Sequence, residues 1–150
     1  MYPTMRLISA FFFFLITHFT LPVFAQNKDA ILGKWLNASG EGQIMVFKKG
    51  DHYAGNLVWL KQPHTEKGQL KRDTKNPNPS FKNRPLLGTE ILQGFSFSGN
   101  GVWEDGSIYD PKTGKTYSCK ISMAGTDKLS IRGYVGISLL GRTEIWTRVE

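Results

Sequence analysis

The segment KTYSCKISM, residues 115–123, is the strongest local constraint on the fold. Tyr117, Cys119, Ile121 and Met123 alternate with Thr116, Ser118, Lys120 and Ser122. A period of two describes a strand with one buried face and one wet face. The same alternation recurs along the chain between turn signals, and no helical period of comparable length interrupts it. An all-β domain is therefore expected. Eight strands are predicted at 31–37, 42–48, 52–60, 88–97, 101–109, 115–123, 127–133 and 142–149. Most links are tight: Lys49-Gly50-Asp51, Ser98-Gly99-Asn100 and Gly125-Thr126-Asp127. Short links favour antiparallel neighbours. Eight such strands can close into an up-and-down barrel, which removes exposed sheet edges.

The stretch GSIYDPKTGKTYSC, residues 106–119, contains Gly114-Lys115-Thr116 and so mimics the tail of a phosphate-binding loop. That motif needs a glycine five residues before its Gly-Lys, and a helix after it. The glycine's place is taken by Tyr109, and a strand follows. Asp110-Pro111 instead opens a turn, and Gly114 supplies the backbone freedom to close it. Pro111 and Gly114 are thus structural, forming a hairpin between two strands.

The first 25 residues hold one charge, Arg6, then an apolar run from Leu7 to Ile16 and a small-residue ending, Val23-Phe24-Ala25. A cleaved signal peptide at 1–25 is expected, with a single domain over 26–150 in the periplasm or outside the cell. The apolar run is too short for a membrane span of about 20 residues. Cys119 is the only cysteine, so no internal disulfide can form. Its place in an alternating strand marks it as a buried structural thiol.

Without Arg6 the net charge falls from +7 to +6. Most of that excess lies between Lys61 and Arg84, where seven basic residues face Glu66 and Asp73. Pro63, Pro77, Pro79 and Pro85 break the segment, and no periodicity runs from Lys61 to Leu87. Loops of this length are commonly functional. Lys71, Arg72, Lys75, Lys82 and Arg84 are the candidate docking residues, with an anionic envelope surface as partner. Nucleic acid is not expected as a partner, because the charge is confined to one loop without interleaved aromatics.

Several motifs in order carry a resemblance to a family. Gly33-Lys34-Trp35, GNLVWLKQP, RDTKNPNP, RPLLGTEIL, GSIYDPKTGKTY and RGYVGISLLGRTEIWTRV together resemble the bacterial domain-of-unknown-function family 2147 over residues 31–150. That resemblance implies an exported compact domain and supplies no activity. Gly33-x-Trp35 also resembles the calycin and lipocalin signature. The latter implies that Trp35 closes one end of the barrel under Arg148 from the last strand.

Metal and cofactor chemistry have no support. His52 and His64 lack ligand spacing. DTKNPN, residues 73–78, lacks the glycine and the distal glutamate of a calcium loop and is read as an Asx turn. No catalytic template is present either. Two stripes are candidates for lining a ligand pocket. On the last strand Arg142, Glu144, Trp146 and Arg148 share one face. On the fifth, Trp103, Asp105, Ser107 and Tyr109 do. Each stripe is either a polar floor inside the barrel or an outward ladder of cross-strand pairs. Trp59, Trp103, Asp105, Tyr109, Glu144 and Trp146 are the candidate contacts for a small hydrophobic or amphipathic ligand. Three functions follow as expectations, in this order: a non-catalytic small-ligand binder, an envelope protein docking through its basic loop, and an enzyme that would need Glu144 or Asp105 as an inward carboxylate.

Overall fold

A computed structural model describes residues 27–150. The expected leader, 1–25, lies outside the described residues. Eight strands form one closed antiparallel meander. They are β1 (Gly33–Leu36), β2 (Gly42–Lys49), β3 (His52–Leu60), β4 (Glu90–Gly99), β5 (Val102–Asp110), β6 (Lys115–Met123), β7 (Lys128–Tyr134) and β8 (Arg142–Val149). β8 returns to pair with β1 and closes the barrel. The architecture is the eight-stranded up-and-down barrel expected from the alternation and short links, of the lipocalin-like kind that the resemblance of Gly33-x-Trp35 implied.

In an up-and-down barrel the connections alternate between two ends. One end is a floor. Residues 27–32 cross it, and side chains from β1, β3, β5 and β8 reach down to hold them. Trp35 Nε1 donates to the Ile31 carbonyl at 2.8 Å, and Trp103 Nε1 donates to the Lys28 carbonyl at 3.2 Å. The Tyr53 hydroxyl donates to Asp29 at 2.9 Å. Arg148 lies with its guanidinium 4.1 Å from the Trp35 ring centroid. It also donates to the carbonyls of Ala30 and Leu32, at 2.7 and 2.9 Å. A desolvated cation–π contact contributes up to about 2 kcal/mol, and here the cation also satisfies two backbone carbonyls. Gly33, with φ +115°, lets the chain turn into β1 where an added Cβ would stand 3.1 Å from the guanidinium.

The other end is a mouth. It is ringed by the β1–β2 turn, the long 61–89 connection, the β5–β6 turn and the β7–β8 connection. The long connection is folded against the outside of the barrel. Its anchor is Asp73, fully buried. One carboxylate oxygen accepts from the Tyr109 hydroxyl at 2.5 Å, and the other accepts from Arg84 and from Asn76 Nδ2, each at 2.8 Å. Asn76 and Asn78 then accept from the backbone two residues on, as an Asx turn requires. Gly114 is the second fastening point. A Cβ there would lie 2.0 Å from the Lys75 carbonyl oxygen, so the turn and the loop touch backbone to backbone.

Candidate functional site

Which side chains face the interior is decided by register, because directly paired residues share a face. β7 and β8 pair without a break: Leu129 with Trp146, Ile131 with Glu144, Gly133 with Arg142. Leu129 and Ile131 are core residues, at 0 and 3 % exposure. The β8 stripe of Arg142, Glu144, Trp146 and Arg148 therefore faces inward, which decides between the two readings of that stripe.

The stripe is graded from mouth to floor. Arg142 is open to solvent, with 87 % of its side chain exposed and a guanidinium nitrogen 3.6 Å from a Glu144 carboxylate oxygen. The Glu144 side chain is 40 % exposed although it faces inward, so solvent enters through the mouth as far as this carboxylate. Ile108, Tyr117 and Gly133, also on the inner face, are likewise only half-buried. One step lower, Trp146 is buried. Its indole N–H is shielded from solvent and has no hydrogen-bond partner among the described residues. A buried donor left unpaired is destabilising by about 1–3 kcal/mol. A carboxylate and an unpaired indole N–H thus stand two residues apart on one inner strand face.

The β5 stripe does not form. Trp103 pairs with Ile121, and the next pair across is Gly106 with Cys119, so β5 carries one extra residue between them. Asp105 sits at this bulge with φ 62° and is exposed. Beyond the bulge every face is exchanged. Ile108 joins the interior, while Tyr109 points outward into the Asp73 cluster. Burial raises the Tyr109 phenol to about 12, with help from the Asp73 hydrogen bond. Trp59 is turned out in the same way. The β2–β3 register slips between Gln43 and Ile44, and Trp59 pairs with outward Gln43 while Leu57 and Leu60 face the core. Trp103 does face inward, but its N–H is taken by the floor segment. Of the six candidate contacts, the structure brings Glu144 and Trp146 together below the mouth, puts Trp103 in the floor, and turns Asp105, Tyr109 and Trp59 away.

Two inner-face glycines, one on each side of the expected buried Cys119, were not anticipated. Gly106, Cys119 and Gly133 form one row across β5, β6 and β7. Phe95 lies over Gly106, where an added Cβ would be 2.4 Å from the ring. Gly133 has room: its nearest neighbour would be Ile108 at 3.6 Å. Glycine within two alternating strands was the signal available for this row. Burial pushes the Cys119 thiol up to about 12, so at neutral pH it is a protonated packing group and not a nucleophile.

The candidate docking residues divide. Arg84 is committed to Asp73 and lies over the Phe81 ring at 4.7 Å, and Arg72 donates to the Asn83 carbonyl. These two hold the loop together. Lys75 and Lys82 are exposed, and Lys71 is half-buried.

Protein HP1028 from Helicobacter pylori, described as belonging to the lipocalin family, is similar in structure. It superposes with a TM-score of 0.68 at 21 % identity, covering 79 % of this chain and 82 % of that one. This similarity concerns the fold. No curated protein matches the sequence. Residues 33–148 match the model of the family described as an uncharacterized protein conserved in bacteria (DUF2147), and the chain belongs to that family.

Proposed function

We propose that the barrel is a non-catalytic binder of a small apolar or amphipathic molecule that enters through the mouth. One observation carries this: the buried, unpartnered Trp146 N–H directly below the solvent-reached Glu144 on the inner face. An acceptor atom on a ligand would restore the missing hydrogen bond. A hydroxyl or amine on the same ligand would donate to Glu144. Half-buried Ile108 and Tyr117 on the inner face supply the apolar wall for the rest of the molecule. This polar pair within an apolar wall is the usual composition of a small-molecule site.

The test is native mass spectrometry of protein purified without detergent, followed by the same measurement on Trp146→Phe. A co-purifying small molecule is expected in the first and its depletion in the second. Stability should change by no more than about 1 kcal/mol, because the lost ring volume and the relieved donor act in opposite directions. Repeated recovery of clean apoprotein, with no fluorescence response to a panel of amphiphiles, would remove the proposal.

A second reading is favoured by the charge distribution. The four mouth connections, 37–41, 61–89, 111–114 and 135–141, carry a net +5, whereas the floor segments, 27–32, 50–51, 100–101 and 124–127, carry −2. Docking of the mouth on an anionic envelope surface accounts for that asymmetry. Lys75→Glu with Lys82→Glu should weaken such binding and reduce its salt dependence.

A further inference from the structure

The β7–β8 connection presents an apolar surface that neither the barrel nor the basic loop covers. Val135, Ile137, Leu139 and Leu140 are 69, 60, 84 and 77 % exposed. This projection is built, not merely left over. Ser138–Leu140 form a short 3-10 turn. Arg132 reaches from β7 to hold it, donating Nε to the Ser138 carbonyl at 2.7 Å and Nη2 to the Leu139 carbonyl at 3.3 Å. Its remaining nitrogen donates to Thr143 Oγ1 at 2.8 Å. At Gly141 an added Cβ would stand 2.7 Å from the Gly133 carbonyl oxygen, so the chain folds back tightly after the turn. An arginine and a glycine together fix two leucines pointing into solvent.

The placement of other exposed apolar groups adds a second, independent observation. Of the ten large apolar side chains exposed among the described residues, four form this projection, Val58 and Trp59 lie in the last three residues of β3 at the mouth end, and Leu70, Phe81 and Leu87 lie on the long loop that borders the mouth; Ile145 is on β8. Monomeric soluble proteins rarely gather exposed apolar groups in this way without a partner for them. The same end holds the positive charge. Arg142, directly after the turn, has 87 % of its side chain exposed, and Lys112 has 74 %. Lys75 and Lys82 are exposed on the neighbouring long loop.

We infer that the mouth docks on an anionic lipid surface, with Leu139 and Leu140 entering the acyl boundary and the surrounding cations meeting lipid phosphates. A bilayer interface is the partner that offers negative charge and apolar depth together over one broad face. An anionic polysaccharide would match the cations and leave the leucines in water. The inference uses the cations of the second reading above, but its anchor, the 135–140 projection, is separate from them. It also places the barrel's mouth against the phase in which an amphipathic ligand would be dissolved.

Vesicle flotation tests this with the full chain and vesicles of phosphatidylglycerol and phosphatidylcholine, against phosphatidylcholine alone. Binding to the anionic vesicles is expected. Leu139→Ser with Leu140→Ser should lower partitioning by about tenfold or more, as removal of buried leucine side chains requires. Lys75→Glu with Lys82→Glu should also lower it, by about thirtyfold or more, since each cation near the surface contributes on the order of 1 kcal/mol. Both leucines are exposed, so the variant should keep the wild-type circular dichroism spectrum and its co-purifying ligand. Weakening by the lysine pair with no effect of the leucine pair would preserve anionic docking and overturn lipid entry. Absence of vesicle binding would overturn it too. So would a leucine variant that changes only oligomeric state, which would assign the projection to a second copy of the chain.

Discussion

The barrel has two unlike halves. From β6 through β7, β8 and β1 to β2, every ladder runs without a register break. From β2 through β3, β4 and β5 to β6, every ladder is interrupted. The regular half holds its side-chain faces in strict alternation, and there the inner stripe of β8 descends from Arg142 to Arg148. The irregular half exchanges faces at its bulges, and the outward-turned Tyr109 becomes an anchor for the long loop. A bulge here converts a would-be pocket residue into a fastening for the outer wall. The regular half carries the candidate ligand site, and the irregular half carries the connection that borders its mouth.

The largest expected effect separates the two halves at the outer wall. Asp73→Ala removes the acceptor for Arg84, Asn76 and Tyr109 at once. Breaking a buried ion pair on one side is destabilising by about 3–5 kcal/mol. Hydrogen exchange should show loss of protection across 61–89 and in the neighbouring β5 amides, with β7 and β8 retained. Uniform loss through all eight strands would show that the halves are not independent.

A smaller effect is expected inside the barrel, where two glycines flank Cys119 from opposite sides. Gly106 belongs to the irregular half and Gly133 to the regular one. Gly106→Ala drives a methyl group into the Phe95 ring and should lower stability by about 3 kcal/mol, at the upper end for overpacking. Gly133→Ala meets only ordinary contacts and should change stability by less than about 1 kcal/mol. Urea unfolding of the two variants gives the difference directly. Equal losses would mean that the Phe95 contact is not what distinguishes them.

Alkaline stability is the next discriminator. Tyr53 and Tyr109, both in the irregular half, are pushed from 10.0 to about 12, first by desolvation and then by hydrogen bonds to Asp29 and Asp73. The unfolded chain loses these protons first as pH rises. Their contribution is therefore complete below pH 10 and disappears between about pH 10 and 12. The Cys119 thiol, raised from 9.0 to about 12 by burial, adds a loss beginning near pH 9. Unfolding midpoints from pH 8 to 12 in a Cys119→Ala background should fall, and Tyr109→Phe should flatten part of the slope. An unchanged slope in Tyr109→Phe would mean that the hydroxyl is solvated.

The same division explains how much of the molecule was legible beforehand. Seven connections, eight strands and the pairing of Trp35 with Arg148 follow from alternation, turn chemistry and one signature. In the regular half the faces follow as well, and Glu144 and Trp146 lie where period two puts them. In the irregular half a single extra residue reverses every later side chain. In Trp103-Glu104-Asp105-Gly106 the one local sign of a bulge is Gly106 within the strand, and what makes that glycine necessary, the Phe95 ring packed on it, comes from the adjacent strand. Arg84 and Arg72 read as surface charge for a related reason: their partners, Asp73 and the Asn83 carbonyl, are met only when the loop folds. The 135–140 projection was not singled out beforehand, because its exposure depends on Arg132 holding the turn.

The smallest effect concerns the surface beside the β5 bulge. Lys120 of β6 reaches Glu104, with 42 and 39 % of the two side chains exposed. The hydrogen bond from Lys120 holds the Glu104 carboxyl below its usual range. That contribution is present above the unfolded value near 4.5 and is lost as pH falls below it. Exposed pairs are worth about 0.2–1 kcal/mol and are screened by salt. A double-mutant cycle of Glu104→Gln and Lys120→Met at pH 7 should give a coupling within that range, vanishing at pH 3 or in 1 M salt. If the bulge owes its geometry to this pair, the coupling would exceed about 1 kcal/mol and persist in salt. Burial of Phe95 against Gly106 offers a salt-independent cause for the bulge, and the smaller, screened value is the one that it predicts.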